Sequence, residues 1–464
     1  MKYTLLILYI SVSLFAQSSL RNRIDEIVNT IPSSTKSSIF IYNAITQKSV
    51  YEKKISEPMI PASNTKLFTT AAALKLMKSD YKVSTKIFTD AIDIKSGIID
   101  GNLFIKGFGQ STFELSDLDS LIKNLINLGI KNIEGNIVGD DSYFDDIYTR
   151  DDWIVNERAN VRLPPVSATI INKNQFVVTL YSRGKVGDKL RYSIYPKCNF
   201  IKVNMQAKVT TYRSYPRFST SFNKNGIAVK IKGGLRKRRS SRKYVVNITN
   251  PPLYFALLLK EKLLQNGIKV RGKAITGSTP SLVTELTTSD IKLSELIKLI
   301  NKESNNYLAE CLFKNVGAYY SNESGNSFYA TQAILSAFED GNILDNETVV
   351  VDGSGISRFN TVTTGSIVRL LNYIYKDEKL FKDFYHSLAI SGVDGTLENR
   401  RINNFVLGNF HGKTGTLNGV SSLSGYLTGK NNNIFIVSII QEYKRKGSYF
   451  HKNIEDKILL ELSK

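Results

Sequence analysis

Three short clusters in this 464-residue chain gather hydroxyl, amine and amide side chains: Ser63-x-x-Lys66, Ser304-Asn305-Asn306 and Lys413-Thr414-Gly415. A serine hydroxyl is a weak nucleophile until a base takes its proton, and a lysine three residues further along a helix lies on the same face. Pro61 stands where a helix begins, and the following Leu67–Leu74 run (LFTTAAAL) is strongly helix-forming, so Ser63 and Lys66 are expected in a first turn. Unpaired backbone N–H groups there carry positive partial charge, which favours an alkoxide on Ser63 and a neutral amine on Lys66. Taken alone, the spacing is cheap. It recurs at Ser33/Lys36, Ser79/Lys82, Ser120/Lys123 and Ser240/Lys243. Ser304 falls at a junction of helical patterns, where Ser and Asn are common caps, and a lysine on a strand such as Lys413 is ordinary. Ser324-Gly325-Asn326 copies the second cluster's spacing within a Gly/Ser/Asn-rich loop.

The elements that position these residues are readable from periodicity. Ser38–Tyr42 and Ser49–Tyr51 read as a hairpin, and the Ser63 helix follows it. From about residue 85 the pattern becomes short β-like runs with Gly/Asn/Asp turns, interrupted by one amphipathic helix over Leu115–Leu128. Pro164-Pro165 marks a boundary, and β-branched and aromatic runs continue to about Ile248. Helices are expected at Pro252–Gln265, Leu293–Asn301 and Tyr307–Val316, strands at Asn409–Leu417, Ser422–Leu427 and Ile434–Ile440, and a closing helix from Asn453. Elements from both ends of the chain around a β-rich middle suggest one split domain carrying a long insertion.

In this order the three clusters resemble the signature of penicillin-binding proteins and serine β-lactamases. The 237 residues between Lys66 and Ser304 are too many for a β-lactamase, and the chain resembles the D-alanyl-D-alanine carboxypeptidases/endopeptidases of the penicillin-binding protein 4 type. Gly135–Asp145, Pro165–Ala168, Asn250–Gly272, Asp352–Arg358 and Ser391–Leu397 carry the likeness further. It implies an α/β (α+β) fold: a penicillin-recognising domain, an antiparallel sheet flanked by helices, over 20–84 and 288–464. It also implies two inserted β-rich domains, one over 85–165 and 244–287, the other over 166–243. By the same resemblance Ser63 is the nucleophile, Lys66 its base and Ser304 a proton relay. Asn306 holds the substrate amide. Lys413, Thr414 and Thr416, with Gly415 between the two threonines, meet the terminal carboxylate of a peptidoglycan stem peptide. β-Lactams are then covalent inhibitors. Asp140 and Arg358 are implied contacts to the stem peptide's third residue, although Asp140 also suits an Asx turn. Asn418 replaces a substrate-contacting glutamine of some relatives. The middle motif has Asn305 where aspartate is usual, and Gly109-Gln110-Ser111 departs from Gly-Asp-Pro. The alternatives are a serine β-lactamase or esterase on the same fold, or a non-catalytic wall-binding protein.

Composition bounds the rest. With 42% hydrophobic and 22% charged residues the chain reads as globular. Lys2 and the apolar run Leu5–Phe15 suit a signal peptide over residues 1–19, and export is expected. Two cysteines, Cys198 and Cys311, exclude a disulfide framework. Three histidines without ligand spacing argue against a zinc hydrolase, so no metal or cofactor is expected. The formal charge is +21, and Ser182–Lys243 holds 18 Lys/Arg against one acidic residue, Asp188. In an exported protein this points to an anionic envelope surface, not to nucleic acid.

Overall fold

The computed structural model describes residues 20–153, 163–223, 226–238, 240–340, 342–400 and 406–464. The expected signal peptide lies outside them. The chain divides into two compact units. One takes the described residues of Met1–Tyr81, Arg150–Arg162 and Lys292–Lys464, the other Lys82–Thr149 and Leu163–Ile291. Arg150–Trp153, expected in the insertion, thus belong with the chain ends.

In the first unit six strands form one antiparallel sheet. Their order is Ala389–Ile390, Phe410–Leu417, Val420–Thr428, Ile434–Glu442, Lys36–Asn43, Lys48–Lys53. Strand Ile434–Glu442 is central and buried from Phe435 to Gln441, as a β-branched run covered on both faces must be. Helices from the two ends of the chain cover one face. Ile24 and Val28 (helix 20–29) and Ile454, Ile458 and Leu459 (helix Ser448–Ser463) pack on Ile39, Ile41, Val437 and Ile439. The closing helix starts at Ser448, ahead of the expected Asn453.

Helix Thr65–Met77 packs among the other helices of this unit. Its residues are buried except Lys75 and Leu76, which accounts for a sequence with no polar stripe. Helices Leu293–Lys302 and Asn306–Ser321 meet at Glu303–Asn305, and Asn305 caps the second, its side chain accepting from Leu308 N–H at 3.1 Å. The middle residue of Ser-Asn-Asn therefore has a structural duty that Asn performs as well as Asp. Asn326 of the look-alike Ser324-Gly325-Asn326 is likewise a cap, accepting from Tyr329 N–H.

The second unit has a five-stranded sheet that includes Leu103–Gly107 and Ile137–Asp140, with helices Leu115–Asn127 and Pro251–Gln265 sharing its core. Its basic part has no α-helix among the described residues between Leu163 and Asn250, as the sequence suggests. The long strand Gly226–Arg236 pairs with Pro216–Asn223, Ile201–Met205 and Lys208–Thr210. One contiguous apolar cluster runs through both parts of the insertion. Cys198 and Cys311 are buried free thiols.

Candidate active site

Ser63 lies in a single 3-10 turn, Ala62–Asn64, that leads into helix Thr65–Met77. It therefore stands just ahead of the α-helix, not within it. The turn is pinned to the sheet. Pro61 C=O accepts from Ser422 Oγ at 2.7 Å, and Asn64 Nδ2 donates to Ser424 Oγ at 3.1 Å. Lys66, one turn further on, is fully buried, and its Nζ lies 3.1 Å from Ser63 Oγ. The same Nζ is 2.7 Å from Asn306 Oδ1 and 2.6 Å from Ser354 C=O. Burial lowers the Lys66 pKa to about 7, against the opposing pull of Asp352 and Glu310. A buried amine with two carbonyl acceptors has both N–H bonds of its neutral form occupied, and its lone pair is left for the Ser63 hydroxyl.

Lys413 faces the same cleft from strand Phe410–Leu417. It is also fully buried, donating to Ser304 Oγ at 2.8 Å and to Thr414 C=O at 3.0 Å. Burial, and then the nearby Lys66, push its pKa well down. An incoming carboxylate would supply the missing counter-charge. Gly415 is fixed by space: a Cβ there would lie 2.2 Å from Ser422 Oγ and 3.0 Å from Ser63 N. Only glycine lets this strand pass the Ser63 turn so closely. On the other side the strand pairs with Ala389–Ile390 only at His411 and Gly412, so no described strand covers that edge from Lys413 to Leu417.

A cavity of about 770 Å³ contains Ser63, Ser304, Asn306, Thr414 and Thr416. A second, of about 590 Å³, takes in Asn306, Thr416 and Asn418. The structure thus brings all three clusters together. Arg358 Nη2 donates to Asn418 C=O at 2.6 Å. Asp140 belongs to the other unit and lines neither cavity. Its Oδ1 accepts from Ser142 N–H at 2.9 Å and its Oδ2 from Thr279 N–H at 2.7 Å, the Asx turn that the sequence also allowed.

Behind Lys66 lies a polar layer that motif spacing does not announce. Glu310 accepts from Gly353 N–H and Ser354 N–H, at 3.2 and 2.8 Å. Asp352 accepts from Gly355 N–H and Ser357 N–H, each at 2.8 Å. The loop is thereby folded so that Ser354 C=O meets the base. Burial, then mutual repulsion, raises the Glu310 pKa, and burial raises that of Asp352. Arg150 donates to Val351 C=O and Ser327 Oγ on the far side. Gly355, at φ +80°, has Ala62 C=O where a Cβ would sit, 1.9 Å away. The only sequence signal for this layer is the family-like stretch Asp352–Arg358. Among the described residues no group of His, Cys, Asp and Glu is placed to hold a metal.

The family model described as D-Ala-D-Ala carboxypeptidase 3 (S13) matches residues 20–462. The D-alanyl-D-alanine carboxypeptidase DacB of Haemophilus influenzae is 27% identical over 424 residues, covering 90% of this chain and 88% of the relative. A D-alanyl-D-alanine carboxypeptidase of Actinomadura is 26% identical over 415 residues, covering 85% and 75%. The crystal structure of penicillin binding protein 4 from Haemophilus influenzae superposes with a TM-score of 0.80 at 25% identity, over 94% of this chain and 98% of that one. The same protein complexed with a β-lactam gives 0.78 over 95% and 99%. Because the match takes in both units and every residue of the Ser63 site, the chain belongs to the D-Ala-D-Ala carboxypeptidase 3 (S13) family and is a serine peptidase.

Proposed function

We propose that Ser63 attacks the carbonyl of the penultimate D-alanine of peptidoglycan stem peptides, and that the enzyme works as a carboxypeptidase and endopeptidase through an acyl-enzyme. The observation that carries this reading is the 3.1 Å approach of a buried, readily neutralised Lys66 to Ser63 Oγ. Lys66 takes the hydroxyl proton while its two N–H groups stay on Asn306 and Ser354. Ser304, held by Lys413, relays a proton to the departing amine. Asn306 has its Oδ1 engaged with Lys66, so its NH2 is the part that meets the substrate amide. Lys413, Thr414 and Thr416 take the terminal carboxylate, with Gly415 giving the clearance. Backbone N–H groups of Ser63 and Thr416 form the oxyanion hole. The uncovered edge from Lys413 suits a substrate that adds as a strand. Arg358 and Asn418 lie where the acyl part of the peptide would run. D-Alanine release from a pentapeptide ending in D-Ala-D-Ala tests this: wild type releases it and Ser63→Ala does not. Release that persists in Ser63→Ala overturns the assignment.

We also propose that the protein works in the envelope, held by its basic segment 182–243 to an anionic surface. Among the described residues no helix is long and apolar enough to cross a membrane. Lys202, Arg217, Lys230, Lys232, Arg236, Lys237 and Arg238 are all exposed. Arg217 pairs directly with Lys232 across the strands Pro216–Asn223 and Gly226–Arg236. Like charges placed opposite one another repel, a cost that a polyanionic partner would remove. The finer division of the insertion into 85–165 with 244–287, and 166–243, is likewise our proposal.

A further inference from the structure

Strand Ala389–Ile390 pairs with strand Phe410–Leu417 only at His411 and Gly412, and the chain then leaves the ladder in a tight turn. Val393 N–H and Asp394 N–H both donate to Ile390 C=O, at 3.1 and 3.2 Å, and Gly392 N–H donates to Leu397 C=O at 3.1 Å. A single 3-10 turn, Gly395–Leu397, follows and brings Thr396 alongside Thr414, two residues past Gly412. Thr414 Oγ1 donates to Thr396 Oγ1 at 2.9 Å. Both side chains line the cavity that contains Ser63 and Ser304.

Thr396 is exposed, so no core holds it; the turn that carries it is held instead from the helix that leads to Ser304. Asp394 accepts from Ile390 N–H at 2.9 Å through one carboxylate oxygen and pairs with Lys302 Nζ at 2.5 Å through the other. Lys302 Nζ also donates to Leu388 C=O at 3.0 Å. Gly395 has φ +58°, and a Cβ there would lie 2.4 Å from Lys302 C=O, an approach that only glycine permits. Lys302 ends helix Leu293–Lys302 and stands two places before Ser304. One residue thus fixes two walls of the cleft: Ser304 against Lys413, and Thr396 against Thr414.

A bound carboxylate changes what Thr414 has to do. An ionised carboxylate only accepts, so Thr414 must turn its single hydroxyl proton to the substrate. Its bond to Thr396 then survives by reversing, with Thr396 donating to a lone pair of Thr414 Oγ1. Hydroxyls chained in this way strengthen one another, and the second keeps the first from rotating out of the cleft. We infer that Thr396 is a positioning residue for the substrate's terminal carboxylate: it holds Thr414 Oγ1 in place and donates to it while Thr414 donates to the carboxylate. The inference rests on the carboxylate role proposed for Lys413, Thr414 and Thr416, and deepens it. Thr396 itself touches no reacting atom.

A double-mutant cycle on kcat/KM for a pentapeptide ending in D-Ala-D-Ala tests this, with penicillin titration of Ser63 to completion giving the active fraction of each sample. Thr396→Val keeps the side chain's shape and removes its hydroxyl. It is expected to lower kcat/KM about tenfold, the scale of one hydrogen bond in a chain that ends on a charged group. Thr396→Ser restores the hydroxyl and is expected to stay within about threefold of wild type. In a Thr414→Val background the same Thr396→Val change is expected to cost less than about twofold, because its partner is gone. A Thr396→Val variant as active as wild type, equal losses in the two backgrounds, or a Ser variant as poor as the Val variant overturns the inference. The C-terminal amide of the same pentapeptide tests the reading beneath it. A wild type that cleaves acid and amide equally well overturns the carboxylate role of Thr414 itself.

Discussion

Lys66 and Lys413 carry the same formal charge in one cleft, yet their tasks require opposite protonation states. Lys66 must be neutral to take a proton, and Lys413 must be charged to hold a carboxylate. Around Lys66 stand Glu310 and Asp352, with Arg150 and Asp152 behind them and Lys413 across the cleft. Burial outweighs the two carboxyls and brings Lys66 to about 7. The reactive, deprotonated fraction therefore grows as pH rises through that value. The acylation rate constant is expected to climb about tenfold per unit well below pH 7 and to level off above it. A flat profile from about pH 5 to 9 contradicts a lysine base. Arginine keeps the charge but is too basic to accept the proton. Lys413→Arg is thus expected to retain part of the activity that Lys66→Arg loses, and equal kcat/KM in the two variants argues against these roles.

At the scale of elements, the site is an accident of three close passages: the Ser63 turn, the Lys413 strand and the Asp352–Ser357 loop. Gly415 allows the first two to meet. Gly415→Ala is expected to lower kcat/KM about a hundredfold, the cost of a displacement near 1 Å at the reacting atoms, with the circular dichroism spectrum unchanged. An alanine variant of full activity removes the steric argument. The three clusters were legible because their order resembles a known signature, whereas helix periodicity alone placed Ser63 inside a helix that it only precedes. Asn305 was legible as a cap of the kind expected at such a junction. Glu310, Asp352 and the Ser354 carbonyl were not, because they reach Lys66 across more than 240 residues of chain and one of them acts through its backbone. Ala62 and Ser304 adopt φ of +48° and +52°, a region that favours glycine. Local propensity speaks against both, and such conformations collect at functional sites, where surrounding structure enforces them at about 1–3 kcal/mol each.

Over the whole molecule, chemistry and charge fall to different stretches of chain. The Ser63 site draws on the first unit alone, while the 18 basic residues of 182–243 sit in the second. The charge excess was visible in composition, but the facing pair Arg217/Lys232 needed the strand register. Replacing Arg236, Lys237 and Arg238 with glutamine is expected to reduce sedimentation with sacculi or anionic vesicles, leaving hydrolysis of a soluble pentapeptide unchanged. Wild-type binding should weaken steeply with salt, since exposed charges are screened over about 8 Å at physiological ionic strength. Sedimentation indifferent to salt and to the substitutions would make the segment plain surface.

The most direct test of the central claim is mass spectrometry of the protein after exposure to a penicillin. A β-lactam presents a strained amide carbonyl beside a carboxylate, matching the groups that Ser63 and Lys413 are placed to meet. The account predicts one adduct, on the peptide containing Ser63, absent from a Ser63→Ala variant that unfolds at the same temperature as wild type. An adduct on another residue, or labelling that survives in Ser63→Ala, would contradict it.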